Sequence, residues 1–223
     1  MSGAADVASQ SGQVLRAFVA NCLMGGDEIT QNGNRWIRDR VVFNCGGRAY
    51  EFKQHPDVIT GSMEQFKGRF VPTTQVLVEN VRPNEVEAVL KEVDRICWLL
   101  SFAGMCRVVR YKYEYPDGTG LGSENSTMGT AQFFRPTFVL HDGGQIKSFV
   151  EQSYAKYCRL EKRRKLNVVI DYLVQADRTG TPTEVKLIQI FVALECLKST
   201  YAHSCGFPFV KGFFRKPPAR PGS

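Results

Sequence analysis

NEVEAVLKEVDRICWLLSFAGMCRVVRYKYEY, residues 84–115, changes its hydrophobic period midway, and that change sets the fold class. Val86, Val89, Leu90, Val93, Ile96, Cys97 and Leu100 recur at spacings of three and four, which puts one apolar face along a helix. Asn84, just after Pro83, is the expected N-cap; Glu85 and Glu87 suit the first turn, and Gly104 is the expected stop. From Arg107 the pattern alternates. Val109, Tyr111, Tyr113 and Tyr115 fall on one side, and Val108, Arg110, Lys112 and Glu114 on the other, as in a half-buried strand.

Upstream, RWIRDRVVF (35–43) and RAYEFKQ (48–54) flank an Asn-Cys-Gly-Gly turn and read as a hairpin. FVPTTQVLVENV (70–81) reads as a strand with Val76 and Val78 on one face, whereas GQVLRAFVANCL (13–24) fits strand or helix. Downstream, a Gly/Ser/Thr-rich loop (117–130) leads to FFRPTFVLH (133–141), a further expected strand. After His-Asp-Gly-Gly come three helical patterns: IKSFVEQSYAKYCRLEKRRK, LNVVIDYLVQA and TEVKLIQIFVALECLKSTY. The expected fold class is therefore α+β. Its parts are a disordered lead (1–12), a β-rich unit with one packed helix (13–142), a partial helical bundle (143–206) and a Pro-rich basic tail (207–223).

With 223 residues and 43% hydrophobic content, the chain can bury a sizeable core. No apolar run reaches the ~20 residues of a membrane span, so no membrane partner is expected. The N-terminus has neither a basic nor an apolar signal region. Seven cysteines, odd in number and without a C-x-x-C pair, fit a reducing cytoplasm better than a disulfide scaffold or zinc site. No metal or cofactor is expected, and no Ser/His/Asp or Cys/His set suggests a catalytic centre.

The net charge of +7 lies wholly in residues 159–223, which hold 12 Lys/Arg against 5 Asp/Glu; residues 1–158 hold 17 of each. That asymmetry suits a polyanionic partner such as RNA, and equally a helical segment with solvated cationic faces. Within RLEKRRK, the candidate nucleic-acid contacts are Arg159, Lys162, Arg163, Arg164 and Lys165. The same cations would also stabilise a helix C-terminus. Gly118, Gly120 and Gly122 lack the βαβ context of a phosphate loop. The tyrosines at 111, 113 and 115, beside Arg107, Arg110 and Lys112, could stack on RNA bases but more simply pack a sheet.

In the last helix, Leu187, Ile190, Leu194, Leu197 and Tyr201 form the stripe expected to face the core. Glu195 lies about 120° away, on a second, mixed face, with Lys198 at i+3. It reads as a solvated edge, or as an acid on a face that another helix covers.

RLEKRRKLNVVIDYLVQAD with TEVKLIQIFVALECLKSTYA, and upstream CWLLSFAGMCRVVRYKYEY and FFRPTFVLHDG, resemble bacterial ApeA-like proteins, which join a β-rich N-terminal domain to a HEPN helical domain. The resemblance implies a bacterial cytoplasmic protein, a dimerising bundle and metal-free RNA cleavage in antiphage or stress defence, through an Arg and a His with four to six residues between them. That spacing occurs at Arg48/His55 and Arg135/His141, both in strand-like segments. An extended strand separates Arg135 and His141 by about 20 Å, too far to share one phosphate. His203 has no Arg at this spacing. The expectation is thus an RNA-associated relative without its own nuclease motif, shortened before it; the alternative is a protein–protein module, homodimeric or with another partner, using the open face of the bundle.

Overall fold

Segment 13–24, which fits either period, is a strand near the middle of the sheet. The computed structural model describes residues 12–23, 25–55, 58, 72–116, 118–121, 143–178, 180–210 and 213–215. In it β1 (Gln13–Ala20) lies between β5 (Pro72–Val81) and β6 (Val109–Tyr115). With β2 (Glu28–Asn32), β3 (Arg35–Cys45), β4 (Arg48–Gln54) and β7 (Gly118–Leu121) they form a seven-stranded sheet, ordered β2-β3-β4-β5-β1-β6-β7, with antiparallel neighbours. Leu15, Ala17 and Val19 face the core, and Phe18 on the other face is buried as well. A strand covered on both faces loses its alternation, hence the ambiguous period.

The protein is α+β. Four helices, α1 (Val86–Gly104), α2 (Gly143–Arg164), α3 (Leu166–Ala176) and α4 (Thr183–Ser204), accompany the sheet. Val89, Val93, Ile96 and Leu100 of α1 pack with Val41, Phe43, Phe52, Val76 and Val78 of the strands, the face that the spacing predicts. Asn84 is not the cap. Pro83–Glu85 forms a 3-10 turn, Glu85 becomes the N-cap residue, and the Arg82 N–H donates to the Glu85 carboxylate at 3.1 Å. Proline's fixed φ favours that tight turn ahead of the helix. At the other end Met105 is left-handed (φ 46°). Ser101 Oγ accepts the Val108 N–H at 2.9 Å and donates to the Cys97 carbonyl at 2.7 Å, fixing the reversal into β6.

The loop expected from residue 117 holds a strand, β7, paired to β6. Gly120 stands opposite Tyr113, where a Cβ would lie 2.3 Å from the ring, so only glycine lets that tyrosine lie flat across the pair. The tail is not wholly irregular, since Phe209–Val210 (β8) and Phe213–Phe214 (β9) form a small hairpin. The expected strand at 133–141 and residues 1–11 of the expected 1–12 lead lie outside the described residues.

The apolar core runs across the change of element type near residue 143. Ile146, Val150, Tyr154 and Tyr157 of α2 and Ile170 and Val174 of α3 share one cluster with the strands and α1. Polar ties follow the same path: Glu151 accepts the Asn44 N–H at 2.7 Å, and Arg95 meets Glu161 at 3.0 Å. No α4 residue belongs to this cluster among the described residues.

The core also sets an alkaline limit. Burial raises the Cys22 and Cys45 thiols from 9.0 to about 12 and the Tyr111 phenol from 10.0 to about 12. These groups lose their protons at lower pH when unfolded, so between about 9 and 12 the folded state holds more protons and stability falls as pH rises. Thermal melts from about pH 8 to 11 are expected to show a steepening loss of Tm. A constant Tm across that range would contradict the burial of these groups.

Candidate functional site

Helix α4 turns the wrong way for the simple wheel. Leu187, Ile190, Leu194 and Tyr201, the stripe expected in the core, are 62%, 39%, 57% and 55% exposed. Ile188 and Phe191 add 62% and 63%. At 100° per residue these six side chains lie within about 160° of arc. The side of α4 that packs inward carries Ala193, buried, and Lys186, Gln189, Cys196 and Thr200, partly buried. LIQIFVALECL is apolar nearly all round, so periodicity alone does not choose a face. Ala193, Cys196 and Thr200 let α4 pack against α3, and its large residues are left outside. Glu195 pairs with Lys198 at 2.9 Å, with the two side chains 45% and 64% exposed. It is the solvated edge.

The basic run divides. Arg159, Lys162 and Arg163 are exposed on the last turns of α2, and Lys165, left-handed at φ 50°, is exposed between α2 and α3. None of these four has an ion-pair partner among the described residues. Arg164 is different: its Nη1 donates to Ser204 Oγ at 2.8 Å and its guanidinium lies 5.0 Å above Tyr201, joining α2 to α4.

A second concave feature lies between α1, the start of β6 and α3. A cavity of about 350 Å³ is lined by Trp98, Arg107, Asn167, Asp171, Tyr172 and Gln175, among others. A smaller one of about 180 Å³ shares Trp98, Arg107 and Asn167 and adds Lys91, Asp94, Arg110 and Glu161. The Arg107 guanidinium lies 3.5 Å above the Trp98 ring, donates to the Val108 carbonyl at 2.7 Å and stands 3.9 Å from Asp171. Its side chain is 10% exposed, and burial holds its pKa below the usual guanidinium value. Arg110 and Asp94 form a two-bond pair, each bond 2.8 Å. The sequence gives no periodic signal for this cleft. The left-handed turn at Met105 folds Arg107 back onto Trp98, and α3 arrives from across the core.

The tyrosine stripe is broken as well. A register shift between Phe18 and Val19 separates Tyr111, beside Phe18, from Tyr113 and Tyr115, which pack on the core. The Tyr115 hydroxyl donates to the Val81 carbonyl at 2.8 Å. Arg48 and His55 bracket β4, with Arg48 3.5 Å from Glu85, so they form no joint site; Arg135 and His141 lie outside the described residues. All seven cysteines are free thiols, and among the described residues no group of His, Cys, Asp and Glu could hold a metal ion. No helix among them is long and apolar enough to cross a membrane. No family model, curated protein or solved structure matches the chain.

Proposed function

We propose that the protein is an association module whose helix α4 docks against α4 of a second copy. The carrying observation is the outward face formed by Leu187, Ile188, Ile190, Phe191, Leu194 and Tyr201. Large side chains of this kind offer on the order of 200 Å² each when fully exposed. At the observed exposures the six present roughly 650 Å², near the ~800 Å² that each partner gives a standard interface. Contiguous apolar surface of that extent marks an interaction site. The charges on the face suit a two-fold arrangement: Glu184 and Lys198 each lie seven residues from Phe191. Antiparallel pairing about Phe191 sets Glu184 of one copy opposite Lys198 of the other, which its own Glu195 also meets at 2.9 Å, and the arrangement is isologous. Light scattering from about 1 to 100 μM is expected to show a monomer–dimer transition. A monomer throughout would remove the proposal.

A second reading rests on the four solvent-facing cations Arg159, Lys162, Arg163 and Lys165, and is supported by the resemblance to ApeA-like HEPN proteins. It assigns this ridge to the phosphates of RNA. Binding of a single-stranded oligonucleotide would then weaken with salt at a slope of about −0.7 per phosphate neutralised. Reversing Lys162 and Arg163 to Glu is expected to flatten that slope by about one to two. An unchanged slope would exclude the ridge.

A further inference from the structure

We infer that the Trp98–Arg107 cleft is a binding site for a nucleotide, a planar base carrying a phosphate. The larger cavity, about 350 Å³, falls in the range of small-ligand pockets, and the smaller one adjoins it through Trp98, Arg107 and Asn167. Size alone would admit many ligands, and the wall chemistry narrows them. Tyr172 supplies an aromatic ring on which a base can stack, and Trp98, one face of which Arg107 already covers, borders the same space. The Asn167 side chain has no partner among the described residues and borders both cavities. Its carboxamide pairs a donor with an acceptor, the complement of a base edge that offers both.

The charge balance favours an anion beside that base. In the smaller cavity, Asp94 is bonded by Arg110 and Glu161 by Arg95, so both acids are engaged first with cations other than Lys91 and Arg107. Lys91 has no partner among the described residues. Among the described residues, the acid in ion-pair range of Arg107 is Asp171, at 3.9 Å, with Asp94 a more distant neighbour, and Asp171 also accepts from Gln175 Nε2 at 2.7 Å. Two cations thus border the smaller space with incomplete compensation, one of them almost buried. A phosphate accepts charge-assisted bonds from such groups, and a guanidinium suits it best. Burial already costs the Arg107 charge its hydration, which a bound anion would replace.

The site is separate from the α4 face and needs neither proposed function. The nucleotide could be free or part of a single strand, and the test separates the two. Trp36 and Trp98 are the two tryptophans, and Trp36 is 70% exposed, so a Trp36→Phe background leaves Trp98 as sole reporter with little effect on the fold. Titration with AMP, GMP, CMP and UMP is expected to change Trp98 fluorescence saturably for at least one. Adenosine and inorganic phosphate alone are expected to bind at least about tenfold more weakly, because each lacks half of the contacts. Asn167→Ala is expected to weaken binding about tenfold, the size of one lost base-edge pair, with an unchanged Tm because its side chain has no internal partner. An oligouridylate of equal length-normalised affinity to UMP identifies the free nucleotide as the ligand, whereas a large gain identifies a strand. Three results would overturn the inference: no saturable response to any mononucleotide or oligouridylate up to about 5 mM, inorganic phosphate binding as well as the nucleotides, or Asn167→Ala binding as tightly as the parent. Reversal of Lys162 and Arg163 leaves the mononucleotide response unchanged, so failure of the ridge is distinguishable from failure of the cleft.

Discussion

Phe191→Glu is expected to leave the protein monomeric at concentrations where the parent is dimeric, with the Tm of the monomer essentially unchanged. Phe191 is 63% exposed and lies at the centre of the outward arc of α4, so in a two-fold pairing it meets its own mate. The change removes an aromatic contact from each side, about 1.5–3 kcal/mol per buried ring. It also places two carboxylates where neither finds a cation, adding desolvation and like-charge repulsion. At 1.4 kcal/mol per decade, dimer affinity should fall by at least about 100-fold. Exposed positions away from buried features shift stability by only about ±0.5 kcal/mol, so the fold itself should be spared. Sedimentation and a thermal melt on the same sample give both readings. A dimer that survives Phe191→Glu uses another face, and a variant that loses its Tm has told us only that Phe191 is structural.

Ile146→Ala is expected to be strongly destabilising. Ile146 is fully buried on the first turns of α2, in the cluster shared with the strands and α1. Truncating such a residue costs about 2–5 kcal/mol through lost transfer energy and the cavity left behind. In a chain of this length each kcal/mol moves the Tm by about 2–4 °C, so a drop of about 10 °C is expected. The shape of the melt matters as much as its midpoint. A core continuous across residue 143 should unfold in one transition that shifts as a whole. Two transitions, with only one responding, would mean that the β-rich part and the helices are energetically separate. Lys156→Ala, exposed on α2 and away from the α4 face, should move the Tm by about 2 °C or less and serves as the control.

The contrast between α1 and α4 explains why one helix could be oriented from the sequence and the other could not. In α1 the apolar positions Val86, Val89, Leu90, Val93, Ile96 and Leu100 are set against charged residues such as Glu87, Lys91 and Asp94. That contrast leaves one face to bury, and those positions are buried. In α4 apolar residues fill most of the circumference, and the deciding factor is how closely the neighbouring helix can approach. Ala193 faces the bundle and Phe191 faces out, a choice of packing distance that spacing does not encode. The basic run behaves similarly. Five cations look alike in the sequence, yet Arg164 faces α4 and the other four face solvent.

Local sequence fixed the kinds of element and most of their limits: the β3–β4 hairpin at Gly46–Gly47, β5, the body of α1 and the three later helices. The alternation and the three-to-four spacing that specify them are properties of neighbouring residues. The same reading placed Glu195 beside Lys198 at one turn's distance. Long-range packing alone decided the rest. It put β1 in the interior, broke the tyrosine stripe at a register shift, turned the apolar face of α4 outward and closed Arg107 over Trp98 against a helix more than 60 residues further along the chain. Each of these depends on which surfaces meet across the core, and no local period carries that information.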